Sequence, residues 1–212
     1  MKAIIFDLDG VVVDTAKYHY LAWRKLAEEL GFAFEEEHNE RLKGVSRMRS
    51  LEIVLEVGGL TGMSEVQKQK LAERKNGYYL NMISGIDQSE ILPGISQFIS
   101  RQKRAGYKIA LGSASKSGRM ILEKLGLADQ FDAIVDGNLA ERAKPDPQVF
   151  IKAAELLGVP CSECIVIEDA AAGIDAALAG GMKCIGVGDK AILGKADIVV
   201  PDTEALSGIE ML

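Results

Sequence analysis

Short apolar runs separated by helical segments recur through the second half of the chain, from Leu92 onward. The runs are Lys108–Leu111, Ala133–Val135, Ile165–Ile167, Cys184–Val187 and Ile198–Val200. Most of the helical segments between them are followed by glycine, and this alternation is typical of βαβ units, in which helices connect parallel strands. The run Ala3–Phe6 near the N-terminus has the same apolar character, so we predict that it belongs to the same sheet.

A different pattern occupies residues 17 to 87, where helical periodicity continues without a strand-like run. The apolar residues at helical spacing in the first helix are Tyr18, Leu21, Ala22, Leu26 and Leu30. Ser64 and Gln67 predict a capping box that opens a long helix through Ile83. A shorter helix is predicted over Ser50 to Val57.

These two patterns predict an α/β fold, a doubly wound parallel sheet with an inserted all-α helical bundle. Residues 1–14 and 90–212 are expected to form the sheet domain, and residues 15–89 the bundle. A chain of 212 residues that is 48% hydrophobic is long enough for one substantial core and a second small module. Because the bundle is inserted directly after the first strand, we expect it to lie over the strand ends as a lid.

Composition and charge exclude several classes of function. A formal charge of −6 and the lack of a basic stripe argue against nucleic acid as a partner. The sequence contains no run of about 18 apolar residues, so no membrane span is expected, and without a signal segment the expected location is the cytoplasm.

The odd number of cysteines, three in all, predicts free thiols rather than a disulfide framework. We expect a monomer.

Two carboxylates follow the first predicted strand directly, in Asp7-Leu8-Asp9-Gly10. Ligands of open α/β sheets bind outside the carboxyl ends of the strands, so acids at this position indicate a ligand or metal site. The alternative is a simple turn, because Asp and Gly are common at strand ends.

Other polar residues follow the remaining strands and are expected to reach the same sheet edge. They are Ser113, Ser115, Lys116, Glu168 and Asp169, with Lys144 before the next helix. Four carboxylates gathered there would repel, since two unit charges about 4 Å apart cost roughly 4 kcal/mol at an effective dielectric of 20. A divalent cation relieves this repulsion, and Mg²⁺ suits carboxylate ligands combined with a phosphate oxygen. Lys144 and Ser113 would then donate to that phosphate, although Lys144 is also compatible with a solvated surface position.

The ordered motifs resemble those of the haloacid dehalogenase superfamily of phosphotransferases. They are Asp7 to Thr15, Ser113 to Lys116, Lys144-Pro145 and Glu168-Asp169. The inserted bundle is similar to the cap of the β-phosphoglucomutase family in its segments Tyr18-His19, Ala22-Trp23, Leu42 to Arg47 and Arg74 to Asn76. Ser117 departs from this pattern, because the family often places Asn there.

The resemblance implies a role for each matching residue. Asp7 is implied as the nucleophile and Asp9 as the general acid and base. The implied Mg²⁺ ligands are Asp7, Glu168 and Asp169, with Asp9 through its main-chain carbonyl. The transferring phosphate is expected to bind Ser113, Ala114 and Lys144, and the second phosphate Arg47, Ser115 and Lys116. The residues expected to face the sugar are His19, Trp23, Gly44, Val45, Ser46 and Lys75.

The predicted function is therefore an isomerase that interconverts β-D-glucose 1-phosphate and D-glucose 6-phosphate. The reaction is expected to pass through β-glucose 1,6-bisphosphate and an aspartyl phosphate, so the partners are a sugar phosphate and this bisphosphate. A magnesium-dependent sugar-phosphate phosphatase on the same scaffold is the alternative. His19 and Trp23, four residues apart on one helix, are also compatible with packing inside the bundle. A receiver-type signalling module is disfavoured, because receivers carry the acceptor Asp on a later strand.

Overall fold

The computed structural model describes residues 2–42 and 47–209. These residues form two compact units, one comprising the chain up to Asp14 and again from Ile86 onward, the other Thr15–Gly85. Each unit has its own hydrophobic core. The chain re-enters the sheet unit at Ile86, and the main-chain N–H of Leu92 then donates to the carbonyl of Val12 at 3.0 Å.

Strands and helices alternate in the sheet unit as predicted. The strands are β1 Ala3–Phe6, β2 Lys108–Gly112, β3 Ala133–Val135, β4 Cys164–Glu168, β5 Lys183–Val187 and β6 Ile198–Val200. The α-helices within the described residues are α1 Ala16–Glu29, α2 Glu36–Asn39, α3 Arg47–Val57, α4 Glu65–Ile83, α5 Ile95–Arg104, α6 Gly118–Lys124, α7 Gln148–Leu157, α8 Ala171–Ala179 and α9 Lys190–Leu193.

All strand pairs are parallel, in the order β3-β2-β1-β4-β5-β6. The doubly wound parallel sheet predicted from the sequence is therefore confirmed. Strand order reverses between β1 and β4, the position at which open α/β sheets form a ligand crevice. Every residue of β1 is buried, as expected for a central strand covered on both faces.

Alternate residues of β1 pack against the two helical layers. Ile5 belongs to the same core cluster as Phe150 of α7. Phe6 faces the opposite layer, where its ring meets Phe98 of α5 edge-on at 6.0 Å. This alternation follows from the two-residue period of a strand, and it leaves the residues after Phe6 at the carboxyl edge of the sheet.

The helical unit contains no strand in residues 15–42 and 47–85, in agreement with its periodicity. Its core is formed by α1, α3 and α4, with Trp23, Leu26, Leu51 and Leu71 among the buried members. The predicted capping box is confirmed, since Ser64 Oγ accepts from Gln67 N–H and Gln67 Oε1 accepts from Ser64 N–H at 2.8 Å. The short helix α2 was not predicted, because none of its residues is buried and it carries no apolar period.

Two further predictions concern the chain as a whole. Cys161, Cys164 and Cys184 are free thiols, as expected. Across residues 2–42 and 47–209, the helices are all too short or too polar to cross a bilayer.

Candidate active site

Three carboxylates from neighbouring strands meet at the point where strand order reverses. Asp7 directly follows β1, and Glu168 and Asp169 lie at the end of β4. Each offers a carboxylate oxygen, and these oxygens all lie within 4.8 Å of one another. Asp7 and Glu168 are buried, so their mutual repulsion is only weakly screened by water.

The tight turn after Asp7 explains how Asp169 approaches the first strand. Gly10 has a φ of +77°, in the left-handed region that favours glycine. A Cβ at this position would lie 2.0 Å from Oδ2 of Asp169. Gly10 therefore permits the carboxylate of Asp169 to lie directly against the turn that carries Asp9. Asp9 itself is half-buried.

Lys144 lies between two of the carboxylates. Its Nζ donates to Oδ1 of Asp7 at 2.5 Å and to Oε2 of Glu168 at 2.7 Å. The nearly buried side chain also passes over the ring of Phe150 at 4.7 Å. Burial alone would lower the pKa of Lys144, but the two carboxylates outweigh it and raise the pKa above its usual range. The ammonium is therefore charged at neutral pH.

The site retains an excess of negative charge in spite of Lys144. Burial first, and then repulsion from Asp7, raises the pKa of Glu168. One ammonium group does not balance three carboxylates, so negative charge remains that a divalent cation would neutralise. Three carboxylate oxygens are also ligands that such a cation prefers. The donor set of Asp7, Glu168 and Asp169 thus fits a metal site.

The loop after β2 supplies the predicted phosphate-binding residues. Ser113 is 1% exposed, and its Oγ accepts from the N–H of Ser115 at 3.1 Å. A cavity of about 190 Å³ is bordered by Ala114, Lys116 and Lys144 together. The structure therefore brings the strand-end loop and Lys144 to one concavity within the sheet unit.

In the helical unit, His19 and Lys75 form a polar pair among aromatic rings. Lys75 Nζ lies 2.7 Å from Nδ1 of His19, within hydrogen-bond distance. The His19 ring stacks on Tyr79 with a centroid distance of 4.0 Å, and Lys75 Nζ lies 4.5 Å from the centroid of the Trp23 ring. The ring of Tyr79 thus packs against His19, and the ring of Trp23 packs against the amine of Lys75.

Burial and positive neighbours lower the pKa of both residues in this pair. For Lys75, burial and then Arg47 lower the pKa to about 7. For His19, burial, Lys75 and Arg47 lower the pKa to about 3, so its ring is neutral at physiological pH. The pair therefore carries at most one positive charge at physiological pH, on Lys75.

The remaining predicted residues have different surroundings. Trp23 is 3% exposed and lies in the helical core, where it supports Lys75. Arg47 is exposed at the first residue of α3. Gly44, Val45 and Ser46 lie outside the described residues. Tyr79 was missed from the sequence, although its spacing of four residues from Lys75 on α4 places both side chains on one helix face.

The chain matches the family of haloacid dehalogenase-like hydrolases over residues 1–181, and it belongs to that family. It is 45% identical to the β-phosphoglucomutase of Bacillus subtilis over 213 residues, which span 100% of this chain and 94% of that protein. A crystal structure of β-phosphoglucomutase from Clostridium difficile matches with a TM-score of 0.86 and 46% identity, covering 97% of this chain and 93% of that one. A phosphorylated-carbohydrates phosphatase of Thermotoga maritima is 31% identical over 190 residues, spanning 87% of this chain and 84% of that protein.

Proposed function

We propose that this enzyme is a mutase that interconverts β-D-glucose 1-phosphate and D-glucose 6-phosphate. The observation that carries the proposal is the 45% identity to a β-phosphoglucomutase along the entire chain. The phosphatase alternative has weaker support, because the phosphatase relative is only 31% identical over a shorter span.

In the proposed reaction Asp7 is the nucleophile. An oxygen of its carboxylate attacks the phosphorus of the bisphosphate, an O–P bond forms, and the bond to the sugar oxygen breaks. Asp9 gives its proton to the leaving sugar oxygen, and it takes a proton from the attacking hydroxyl when the phosphoryl group returns. Lys144 holds Oδ1 of Asp7, so the orientation of the carboxylate is set before the substrate arrives.

We propose that Mg²⁺ binds Asp7, Asp169 and Glu168, together with the main-chain carbonyl of Asp9. When bound, it neutralises the carboxylates and the charge that develops on the transferring phosphate. Ser113 and Lys144 donate to the oxygens of that phosphate. The support for the metal is the carboxylate cluster, and the support for Lys144 is its hydrogen bonds to Asp7 and Glu168 of that cluster.

We assign the sugar hydroxyls to His19 and Lys75. Trp23 acts through Lys75 rather than on the sugar, because its ring is buried beneath the amine. Arg47, Ser115 and Lys116 are proposed to bind the second phosphate, which a mutase must hold while the first is transferred. Gly44, Val45 and Ser46 stay predicted sugar contacts.

The decisive experiment supplies β-glucose 1-phosphate with a trace of β-glucose 1,6-bisphosphate and Mg²⁺, and it records glucose 6-phosphate and inorganic phosphate together. A mutase converts nearly all of the substrate to glucose 6-phosphate. Release of inorganic phosphate in amounts equal to the substrate consumed would contradict the proposal and favour the phosphatase.

A further inference from the structure

The loop after β3 is bonded directly to the loop after β2, which carries Ser115 and Lys116. The N–H of Gly137 donates to the carbonyl of Ser115 at 3.1 Å. The side-chain amide of Asn138 donates through Nδ2 to the carbonyl of Lys116 at 2.8 Å. Two consecutive carbonyl groups of one loop are therefore held by two consecutive residues of the other.

Asn138 is itself held in place by a buried carboxylate. Asp136 is 7% exposed, and its Oδ1 accepts from the main-chain N–H of Asn138 at 2.9 Å. Its Oδ2 accepts from Nδ2 of Asn138 at 3.2 Å. A side-chain amide has two N–H donors, so one serves Asp136 while the other serves Lys116. This pairing fixes the rotamer of Asn138.

Gly137 allows the two loops to approach this closely. A Cβ at residue 137 would lie 2.3 Å from the carbonyl oxygen of Ala114 and 3.1 Å from the main-chain nitrogen of Lys116. Any residue with a Cβ would push the two loops apart. This explains why the residue between Asp136 and Asn138, which are hydrogen-bonded to each other, is a glycine.

The bond from Asn138 orients a peptide group of the loop. In a trans peptide the C=O and N–H point in opposite directions, so holding the carbonyl of Lys116 directs the N–H of Ser117 away from Asn138. That N–H donates to Oγ of Ser115 at 3.3 Å. Because Ser115 Oγ accepts this bond, its own proton is left to donate to a ligand.

We propose that Asn138, held by Asp136, is a positioning residue for the part of the loop that binds the non-transferring phosphate. It acts through the Lys116–Ser117 peptide on the hydroxyl of Ser115 and on the backbone of Lys116. The inference rests on the proposed function, which assigns the second phosphate to Ser115 and Lys116.

The test compares Asn138→Ala and Asn138→Asp with the wild-type enzyme in two reactions. Asp keeps the shape of Asn but cannot donate to the carbonyl of Lys116. In the mutase reaction, both variants are expected to raise KM for β-glucose 1-phosphate and the bisphosphate about fivefold to tenfold, with kcat within about twofold. Hydrolysis of p-nitrophenyl phosphate, which carries a single phosphate, should change by less than about twofold in either variant.

Leu139→Ala is the matched control, because Leu139 follows Asn138 and is 49% exposed. It should alter neither reaction, and thermal melts should show that all three variants are folded. An unchanged KM in both Asn138 variants, or an equal loss in both reactions, would overturn the proposal. If Asn138→Ala fails to fold, Asn138→Asp decides alone.

The same variants separate this inference from the function on which it rests. A wild-type enzyme that forms no glucose 6-phosphate contradicts the mutase assignment. Inhibition of p-nitrophenyl phosphate hydrolysis by glucose 1,6-bisphosphate then tests Asn138, with weaker inhibition expected in both variants. Equal inhibition of variant and wild type would overturn the positioning role.

Discussion

Asp7 and Asp9 have chemically identical side chains, and the different tasks proposed for them correspond to different surroundings. Asp7 is buried, and Nζ of Lys144 donates a hydrogen bond to it, which fixes the orientation of its carboxylate. Asp9 is half-buried on the Gly10 turn, outside the carboxylate cluster formed by Asp7, Glu168 and Asp169 among the described residues. In the proposed site Asp9 meets the metal only through its main-chain carbonyl, so its carboxyl group stays available for proton transfer.

The predicted role of Asp9 leads to a test by Asp9→Asn. The amide cannot transfer the proton, so kcat should fall by about a thousandfold or more, while the main-chain carbonyl and the metal site persist. Steady-state kinetics measure the loss, and Mg²⁺ titration by calorimetry should show an affinity within about twofold of the wild type. Near-normal turnover would remove Asp9 from proton transfer.

Lys75 provides a pH-dependent stability test. Its pKa is lowered from 10.5 to about 7 in the folded chain, mainly by burial. Between these values the unfolded chain binds more protons than the folded one, so this residue makes the free energy of unfolding rise with pH from about 7 to 10.5. The full cost of burying the charge is present below pH 7.

Lys75→Met should therefore raise the free energy of unfolding at pH 6 by an amount on the order of a few kcal/mol, and the gain should vanish towards pH 10.5. Urea denaturation over this pH range measures the change. Lys70→Met is the control, since Lys70 is an exposed lysine of the same helix, and it should leave the profile unchanged. Parallel profiles for wild type and Lys75→Met would contradict the assigned pKa.

At the scale of elements, the position of a strand end determines whether a residue lies within the sheet or in the loop that follows it. Glu168 is the last residue of β4, one residue later than the strand end predicted from its apolar run. The strand continues because Glu168 pairs in register with Gly186 of β5. A buried carboxylate within a strand was not predictable from hydrophobicity, because its burial depends on Lys144 from another segment.

The helix α8 must also accommodate that carboxylate. Gly173 lies in the first turn of α8, where a Cβ would be 2.0 Å from Cδ of Glu168. Alanine normally favours a helix over glycine by about 1 kcal/mol, but here it would displace Glu168 and, through it, Lys144. Gly173→Ala is therefore expected to reduce kcat by at least tenfold and to destabilise the fold.

Gly77 in α4 is the matched control for this prediction. It is exposed, and a Cβ there would meet no atom within 4 Å. Gly77→Ala should raise the free energy of unfolding by about 0.5–1 kcal/mol. Chemical denaturation and steady-state kinetics measure both variants. If Gly173→Ala and Gly77→Ala change kcat and the free energy of unfolding equally, the contact between residue 173 and Glu168 has no effect on either quantity.

At the scale of the whole molecule, binding of the proposed metal is expected to be coupled to folding. Carboxylates that meet only when β1 and β4 are paired form no site in the unfolded chain, so a bound cation stabilises the folded state. Mg²⁺ at one hundred times its Kd should add about 2.7 kcal/mol, which corresponds to a rise in Tm of about 5 °C or more for a chain of this length.

Differential scanning calorimetry with EDTA and with Mg²⁺ measures this shift. EDTA should also abolish turnover, and Mg²⁺ should restore it. The Asp169→Asn variant lacks one charged ligand and should lose most of the shift in Tm. A shift of the same size in this variant would exclude Asp169 as a ligand.

The sequence by itself determined the elements, the helical insertion and the acids at the strand ends. Hydrophobic periodicity records which face of each element is buried, and motifs such as Ser64 with Gln67 act within a few residues. The family could also be recognised from motifs in a fixed order. These signals are local, so they can be recognised in the sequence without knowing which distant residues each segment contacts.

The sequence predicted that Lys144 and the strand-end acids share one sheet edge, but only the tertiary structure decided which distant side chains bond to one another. Lys144 bonds to Asp7 across 137 positions of the chain, and Lys75 lies beside His19 across 56. Asn138 reaches the loop of Lys116 because β2 and β3 are neighbours in the sheet. Such contacts depend on strand order and on the volume of every packed residue between them, and no local period in the sequence encodes either quantity.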